Sequence, residues 1–216
     1  MKFFLSACLL FFTAPLFSQT QNVSRVSVSP LASYHKLWND AKYSKCNTAA
    51  NVTYMSHAEK EVIYILNLIR AYPALFTKTV LLKYPSVSGN GYLAEDSFYF
   101  ISLINSLNKL KPLDILYPDK DCFESAQCHA SSSGITGYTG HKRVNADCEK
   151  KKNYNGECCD YGNDDPLEII LSLLIDEGVP SLGHRKVFLS AYTKVGVSIQ
   201  PHKKYGTNAV FDFAYQ

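Results

Sequence analysis

The sequence predicts an α+β domain in which helices pack on a small antiparallel sheet. Two observations predict this class. Apolar residues recur at helical spacing through most of the 216-residue chain. Strict alternation of apolar residues with small or polar ones occurs only at 195–199 and 209–215, which predicts a terminal antiparallel hairpin. Helices grouped first and strands last are typical of α+β folds.

The first eighteen residues have the composition of a secretory signal peptide. Lys2 supplies the positive charge, residues 3–17 form an apolar run, and Ser18 is a suitable cleavage position. The run is too short and too close to the N-terminus to be a membrane span. We therefore expect a secreted protein, extracellular or, in a bacterium, periplasmic or on the cell surface.

The rest of the chain is long enough for one domain with its own core. We expect residues 19–55 to form a largely irregular N-terminal arm and residues 56–216 to form the folded domain. The formal net charge is only +3, and the lysine run at 150–152 has no accompanying aromatic pattern. The charge distribution therefore does not favour a nucleic-acid partner. No other segment approaches the length of a membrane helix, so no membrane span is expected.

The cysteine count agrees with export. One of the seven cysteines, Cys8, lies in the predicted signal peptide. Six remain, and an even number in an exported chain favours disulfides, although sequence does not choose among the pairings. The six are Cys46, Cys122, Cys128, Cys148, Cys158 and Cys159. Cys158 and Cys159 are adjacent and are expected to bond to two different partners. A zinc site made of these thiols is disfavoured because no Cys-x-x-Cys pair occurs.

Helical segments occupy most of the region before the hairpin. Ser56 and Glu59 form a capping-box pattern before an apolar series, which predicts a helix of about fifteen residues ending near Pro73. Apolar spacing and stop signals predict further helices at 74–83, 92–110 and 119–133, with a Gly-Asn-Gly turn at 89–91.

The stretch 134–162 is polar and glycine-rich, and we expect it to be a loop. Asp165 and Pro166 then open a helix that is apolar on nearly every side, at 167–175, and is therefore expected to be buried. Gly178 is expected to end this helix.

Two acids follow the apolar part of that helix in an unfavourable place. Asp176 and Glu177 are expected in its last turn, where the helix dipole disfavours negative charge, so we expect these acids to have a task other than capping. His184 follows them, and His141 lies sixteen residues before another acid, Glu157. Imidazole nitrogens suit zinc and similar metals, and neighbouring carboxylates orient the rings. The pattern predicts a site of two histidines and two or three acids.

Several short motifs follow one another in a recognisable order. They are Ala-Gln-Cys-His-Ala at 126–130, His141, Gly-Glu at 156–157, Leu-Ile-Asp-Glu-Gly-Val-Pro at 174–180, Gly-His-Arg at 183–185 and Phe-Asp-Phe-Ala at 211–214. This order resembles the CAP superfamily, the cysteine-rich secretory, antigen 5 and pathogenesis-related-1 proteins, in a secreted single-domain form. The resemblance covers roughly residues 56–216.

The resemblance implies an α-β-α sandwich whose cavity is lined by two histidines and two acids and binds a divalent metal in some members. The histidines fall on His141 and His184, and the acids fall on Glu157 and Asp176. The metal implied for this chain is zinc or a similar divalent ion.

The sequence departs from the family pattern in three places. Cys158 stands where the family has Asn, and Leu173 stands where it has an aromatic residue. The helix acid is Asp176 with Glu177 beside it, and either could face the cavity. Neighbouring helical residues point about 100° apart, so only one of them is expected to do so.

Two functions from different classes are open. The first is a non-catalytic binding module whose cavity and adjacent groove take a lipid or sterol, a peptide or an extracellular protein, as the resemblance implies. The second is a secreted peptidase or esterase, metal-assisted or dependent on the histidines. The sequence has no Gly-x-Ser-x-Gly and no His-Glu-x-x-His, so the binding module is favoured and no catalytic residue is assigned.

Structural interpretations stay open for the same residues. His184 could be satisfied by backbone groups, His141 could face solvent, and Glu157 could anchor loop amides. The tetrad as a whole could mainly join the loop to the buried helix. Arg185 is expected to pair with an acid or the C-terminal region, and His129 to pack or lie on the surface. No constellation surrounds His35, His57 or His202.

Overall fold

The computed structural model describes residues 28–85 and 97–216. These ranges contain helices and strands in the mixture that defines the α+β class. The helices are α1 (His57–Ala71), α2 (Pro73–Thr79), α3 (Phe98–Lys109), α4 (Lys120–Thr136), α5 (Ala146–Lys150), α6 (Pro166–Ile175) and α7 (Gly183–Phe188). The strands are β1 (Tyr117–Pro118), β2 (Gly156–Tyr161), β3 (Lys194–His202) and β4 (Gly206–Ala214). The predicted signal peptide, the turn at 89–91 and the first residues of the helix predicted at 92–110 lie outside the described ranges.

The capping box predicted for α1 is present. The Ser56 hydroxyl accepts the Glu59 N–H, and the Glu59 carboxylate accepts the Ser56 N–H at 2.7 Å. The other Glu59 oxygen accepts the N–H of Ile199 at 2.9 Å, which ties the start of α1 to β3. The helix ends at Ala71 because Pro73 cannot continue it.

The sheet has the strand order β1-β3-β4-β2. The terminal hairpin is confirmed, since β3 and β4 pair antiparallel from Lys194 opposite Ala214 to His202 opposite Gly206. The expectation of a wholly antiparallel sheet was wrong at one edge, where the two-residue β1 runs parallel to β3. The expectation of a loop through 134–162 was also wrong. It contains the short helix α5, and its last residues form β2, which pairs antiparallel with β4.

Helices cover both faces of the sheet. On one face, α4 packs so closely on β3 that a Cβ at Gly196 would lie 2.0 Å from the backbone nitrogen of Phe123. On the other face, Phe211 and Phe213 belong to the main hydrophobic core, to which buried residues of α1 and α6 also belong. Side chains of a strand alternate between faces, so polar groups of β4 such as Asp212 point toward α4.

The helix α6 ends before Asp176 rather than including it. Asp176 has left-handed backbone angles, φ 60° and ψ 42°, and Gly178 continues the turn at φ 75°. Arg185 occupies the end of α6, where its guanidinium donates to the carbonyls of Leu174 at 2.6 Å and Ile175 at 2.8 Å. A cation at a helix C-terminus interacts favourably with the helix dipole. The negative charges of Asp176 and Glu177 therefore destabilise the end of α6 less than the sequence suggests.

The described part of the N-terminal arm packs on the domain. Residues 28–55 contain three short 3₁₀ turns, at Pro30–Ser33, Lys36–Trp38 and Ala41–Cys46. Trp38 is fully buried, and its indole N–H donates to the Thr79 hydroxyl at 2.8 Å. The arm is therefore irregular but contributes to the main core.

One of the expected disulfides is present, between Cys128 of α4 and Cys148 of α5. The other four cysteines expected to be bridged are buried and free, namely Cys46, Cys122, Cys158 and Cys159. The prediction for the adjacent pair was wrong because Cys158 packs in the main core while Cys159 points to the opposite face, against α4. Neither sulfur meets another cysteine there.

Within the two described ranges, no single helix is long and apolar enough to span a membrane. The bent pair His57–Ala71 and Pro73–Lys83, with 106° between its halves, meets the requirement jointly, by length and composition alone.

Candidate functional site

His141 and Glu157 meet at the start of β2. The Nδ1 atom of His141 lies 2.8 Å from Glu157 Oε1, and the Glu157 side chain is only 3% exposed. Because a carboxylate only accepts, Nδ1 carries the hydrogen in this contact, in the neutral as well as the charged ring. The hydrogen bond to Glu157 raises the pKa of His141 above its ordinary value, against the opposing effect of burial.

His184 and Asp176 form a second pair of the same kind. The Nδ1 atom of His184 lies 2.7 Å from Asp176 Oδ1. The other carboxylate oxygen accepts the backbone N–H of His184 at 3.0 Å, so Asp176 also satisfies the start of α7. Asp176 thus has a task other than capping, since it holds the His184 ring, and it also lies at the favourable end of the next helix.

The structure settles which of the two adjacent acids approaches the histidine. Glu177 is exposed and accepts a hydrogen bond from the Ser97 hydroxyl at 2.7 Å, whereas Asp176 is buried against His184. The left-handed turn at Asp176 directs its carboxylate back toward α7.

The two pairs converge. The ring centroids of His141 and His184 are 6.4 Å apart, with an angle of 38° between the ring planes. His184, Asp176 and Cys159 line a cavity of about 240 Å³. Neither Nε2 atom has a hydrogen-bond partner among the described residues. The four residues predicted from the sequence thus lie together, with one ring nitrogen of each histidine free.

Two further charged residues complete the site, and the sequence analysis missed both. The Arg143 side chain is fully buried, and its guanidinium contacts the carboxyl groups of Glu157 and, at 3.3 Å, Asp212. The same guanidinium lies over the ring of Tyr154 at 5.0 Å. A signal was available for Asp212, which stands between two phenylalanines of an alternating strand. If a helix covers the opposite face, such an acid is buried and needs a cation.

Glu157 and Asp212 lie directly opposite each other on β2 and β4, and their carboxyl groups titrate differently. Burial alone would raise the pKa of Glu157, but the hydrogen bond from His141 and the charge of Arg143 outweigh it, so its pKa is lowered. Burial and the negative charge of Glu157 raise the pKa of Asp212 to about 8. One buried cation therefore faces one carboxylate and one carboxylic acid at neutral pH.

A cluster of metal-binding groups lies beside the histidine pairs, on the face of β2 toward α4. One ligand atom each of His129, Glu157 and Cys159 lies within 4.8 Å of the others, an arrangement that could hold a metal ion. His129 is fully buried; its Nε2 lies 2.9 Å from the Gly140 carbonyl, and its Nδ1 has no partner among the described residues. Burial, followed by the charge of Arg143, lowers the pKa of His129, and burial raises that of the Cys159 thiol.

The remaining residues considered from the sequence have structural surroundings. Arg185 binds carbonyl groups and the Ser102 hydroxyl, without a carboxylate within ion-pair distance among the described residues. His202 is buried, with its Nε2 3.0 Å from the Tyr138 carbonyl. His57 is exposed and lies 3.4 Å from Glu61.

Comparison with known proteins assigns no family, because no family model, no curated protein and no solved structure matches this chain. The resemblance to the CAP superfamily stays a prediction from the motifs.

Proposed function

We propose that the protein is an exported, CAP-like binding module whose cavity holds a divalent metal ion, zinc in the first place, between His141 and His184. The observation that carries the proposal is the matched orientation of the two imidazoles. Each Nδ1–H is held by a buried carboxylate, which leaves each Nε2 as the nitrogen able to bind a metal. Carboxylate–histidine–metal arrangements of this kind fix the ring and raise its basicity.

The distance between the rings is compatible with one shared ion after a small movement. Two imidazoles bound to one zinc at tetrahedral angles, with Zn–N bonds of about 2.0–2.1 Å, place their ring centroids roughly 5 Å apart. The observed separation is 6.4 Å. The His141 side chain is 57% exposed and can approach, whereas His184 is held by two contacts with Asp176. Two protein ligands leave further positions for water or a ligand group.

Helices on both faces of the sheet also support the CAP-like α-β-α sandwich as the fold type. The motif order has the imidazoles in two segments far apart in sequence, one before β2 and one in α7, and the two rings lie 6.4 Å apart. Export is supported by the composition of residues 1–18 and by the disulfide between Cys128 and Cys148.

The size of the cavity limits what it encloses. At about 240 Å³ it is smaller than the roughly 300–1,000 Å³ usual for sites that enclose a drug-sized molecule. We propose that it takes the metal and one polar group of a ligand, such as a carboxylate of a peptide or the headgroup of a lipid. The body of a lipid, sterol, peptide or extracellular protein would lie along the surface outside it.

Calorimetric titration with zinc tests the metal proposal, using the mature chain and its His184→Ala variant. The exposed His57 supplies a matched control, because His57→Ala removes an imidazole outside the site. We expect the wild type and His57→Ala to bind zinc equally and His184→Ala to bind at least about tenfold more weakly. Equal affinity in all three proteins would contradict the proposal.

The alternative function is a secreted hydrolase. It needs a hydroxyl or an activated water within hydrogen-bond reach of a base. Among the described residues, no hydroxyl group forms a hydrogen bond with the ring of His141 or His184. We therefore keep binding as the proposal. Assays with panels of peptidase and esterase substrates distinguish the two functions. If the wild type turns over a substrate and a His141→Ala/His184→Ala variant does not, the protein is a hydrolase instead.

A further inference from the structure

We propose that His129, Glu157 and Cys159 form a second metal position, a thiolate-containing site for zinc, on the face of β2 that packs against α4. This position does not involve His184, but it shares Glu157 with the metal site proposed between His141 and His184, where that carboxylate holds the His141 ring. No Cys-x-x-Cys pair marks this position in the sequence.

The first argument is the placement of the ligand atoms. The alternation of a strand puts Glu157 and Cys159 on the same face of β2, and α4 brings His129 over them. One ligand atom from each residue lies within 4.8 Å of the other two. Zinc bonds of about 2.0–2.3 Å at tetrahedral angles hold two ligand atoms roughly 3.3–3.8 Å apart. Side-chain rotations that move the ligand atoms by about 1 Å would therefore bring them to this spacing.

The second argument is the unused nitrogen of His129. Because the Gly140 carbonyl only accepts, the hydrogen lies on Nε2, and the Nδ1 lone pair is the one able to bind a metal. Nδ1 is buried without a hydrogen-bond partner among the described residues. A buried polar atom left without a partner destabilises the fold, and a metal ion would supply the partner.

The third argument concerns charge and access. Zinc binding exchanges the Cys159 S–H proton for a Zn–S bond and releases that proton to solvent. With the buried Arg143 guanidinium beside Glu157, the zinc ion, the thiolate and the Glu157 carboxylate sum to one positive charge, which loss of the Asp212 proton brings to zero. Of the three ligand residues, Cys159 lines the cavity of about 240 Å³, and we expect the ion to enter there. His141 Nδ1 donates its hydrogen to Glu157, so a water takes the fourth position.

Cobalt supplies the test, because Co²⁺ replaces Zn²⁺ and a thiolate ligand adds an intense charge-transfer band in the near ultraviolet. Cys158 is a matched control, since it is also buried and adjacent in sequence but faces the main core. We expect the band in the wild type, in Cys158→Ser and in His184→Ala. We expect its loss in Cys159→Ser and at least about tenfold weaker Co²⁺ binding in His129→Gln.

X-ray absorption of the zinc-loaded wild type is a second measurement that needs no variant. We expect one sulfur neighbour at about 2.3 Å from zinc. Zinc bound by nitrogen and oxygen alone overturns this proposal while leaving the two-histidine site standing. A sulfur neighbour that persists in Cys159→Ser also overturns it, because the thiolate would come from another cysteine. If only the two-histidine site is wrong, zinc will still have its sulfur neighbour, and His184→Ala will leave the zinc affinity unchanged.

Discussion

Replacing Arg143 with methionine removes the buried cation that the site depends on. The Arg143 and Asp212 side chains are fully buried and that of Glu157 is 3% exposed, so neither the guanidinium nor the Glu157 carboxylate can turn to water. Removing one partner of a buried ion pair typically costs about 3–5 kcal/mol because the other charge stays buried. His141 remains as a partner for Glu157, so we expect the lower end, about 3 kcal/mol at pH 7. For a chain of this length that corresponds to a fall in Tm of about 6–12 °C.

The loss should depend on pH. Without Arg143, the folded-state pKa of Glu157 rises above its unfolded value of about 4.3, so the stability lost in the variant is regained as pH falls toward that value. Urea unfolding of both proteins at pH 7 and near pH 4.5 measures the difference. Lys150→Met is the control, because it breaks an ion pair with Asp147 whose side chains are 77% and 76% exposed. It should cost less than about 1 kcal/mol. An Arg143→Met loss as small as the control's, or one that does not shrink on acidification, would refute this reasoning.

Three other perturbations have definite outcomes. NMR titration should show the pKa of His141 above its ordinary value of about 6.5, and that pKa should fall in Glu157→Gln. The stability that the His141–Glu157 contact contributes is fully present below about pH 6.5 and is lost as pH rises through the pKa of the folded state. Replacing both cysteines of the Cys128–Cys148 disulfide with serine should lower the free energy of unfolding by about 3 kcal/mol, since the bridge closes a loop with a sequence separation of 20; an unchanged urea midpoint would contradict this. Gly196→Ala places a Cβ against the backbone of α4 and should cost at least about 3 kcal/mol or prevent folding, and a variant as stable as the wild type would contradict the close packing.

Local signals in the sequence were sufficient for the helices and the hairpin. The capping box at Ser56 and Glu59, Pro166 at the first turn of α6 and the alternation in β3 and β4 each act within a few residues, and the structure contains all of them. The strand β2 lacked such a signal. Its residues Gly-Glu-Cys-Cys-Asp-Tyr carry no clear alternation, and only pairing with β4, distant in sequence, makes them a strand.

The site could be predicted only in part for a related reason. His141, Glu157, Asp176 and His184 belong to motifs whose order is visible in the sequence. The contribution of Arg143 is not visible, because its partners lie on β2 and β4 and its burial depends on α4 covering the sheet.

For the cysteines, the sequence predicted contacts that the fold does not make. An even count predicts bridges, but strand geometry decides whether two sulfurs meet. It sends Cys158 and Cys159 to opposite faces of β2, where neither finds a partner cysteine.

Anomalous X-ray scattering from a crystal soaked in zinc tests the central claim most directly. We predict a zinc peak within about 2.2 Å of Nε2 of both His141 and His184, with Glu157 and Asp176 still holding the Nδ1 atoms. Zinc found only at other surface residues, or the two rings found on separate faces of the molecule, would contradict the account.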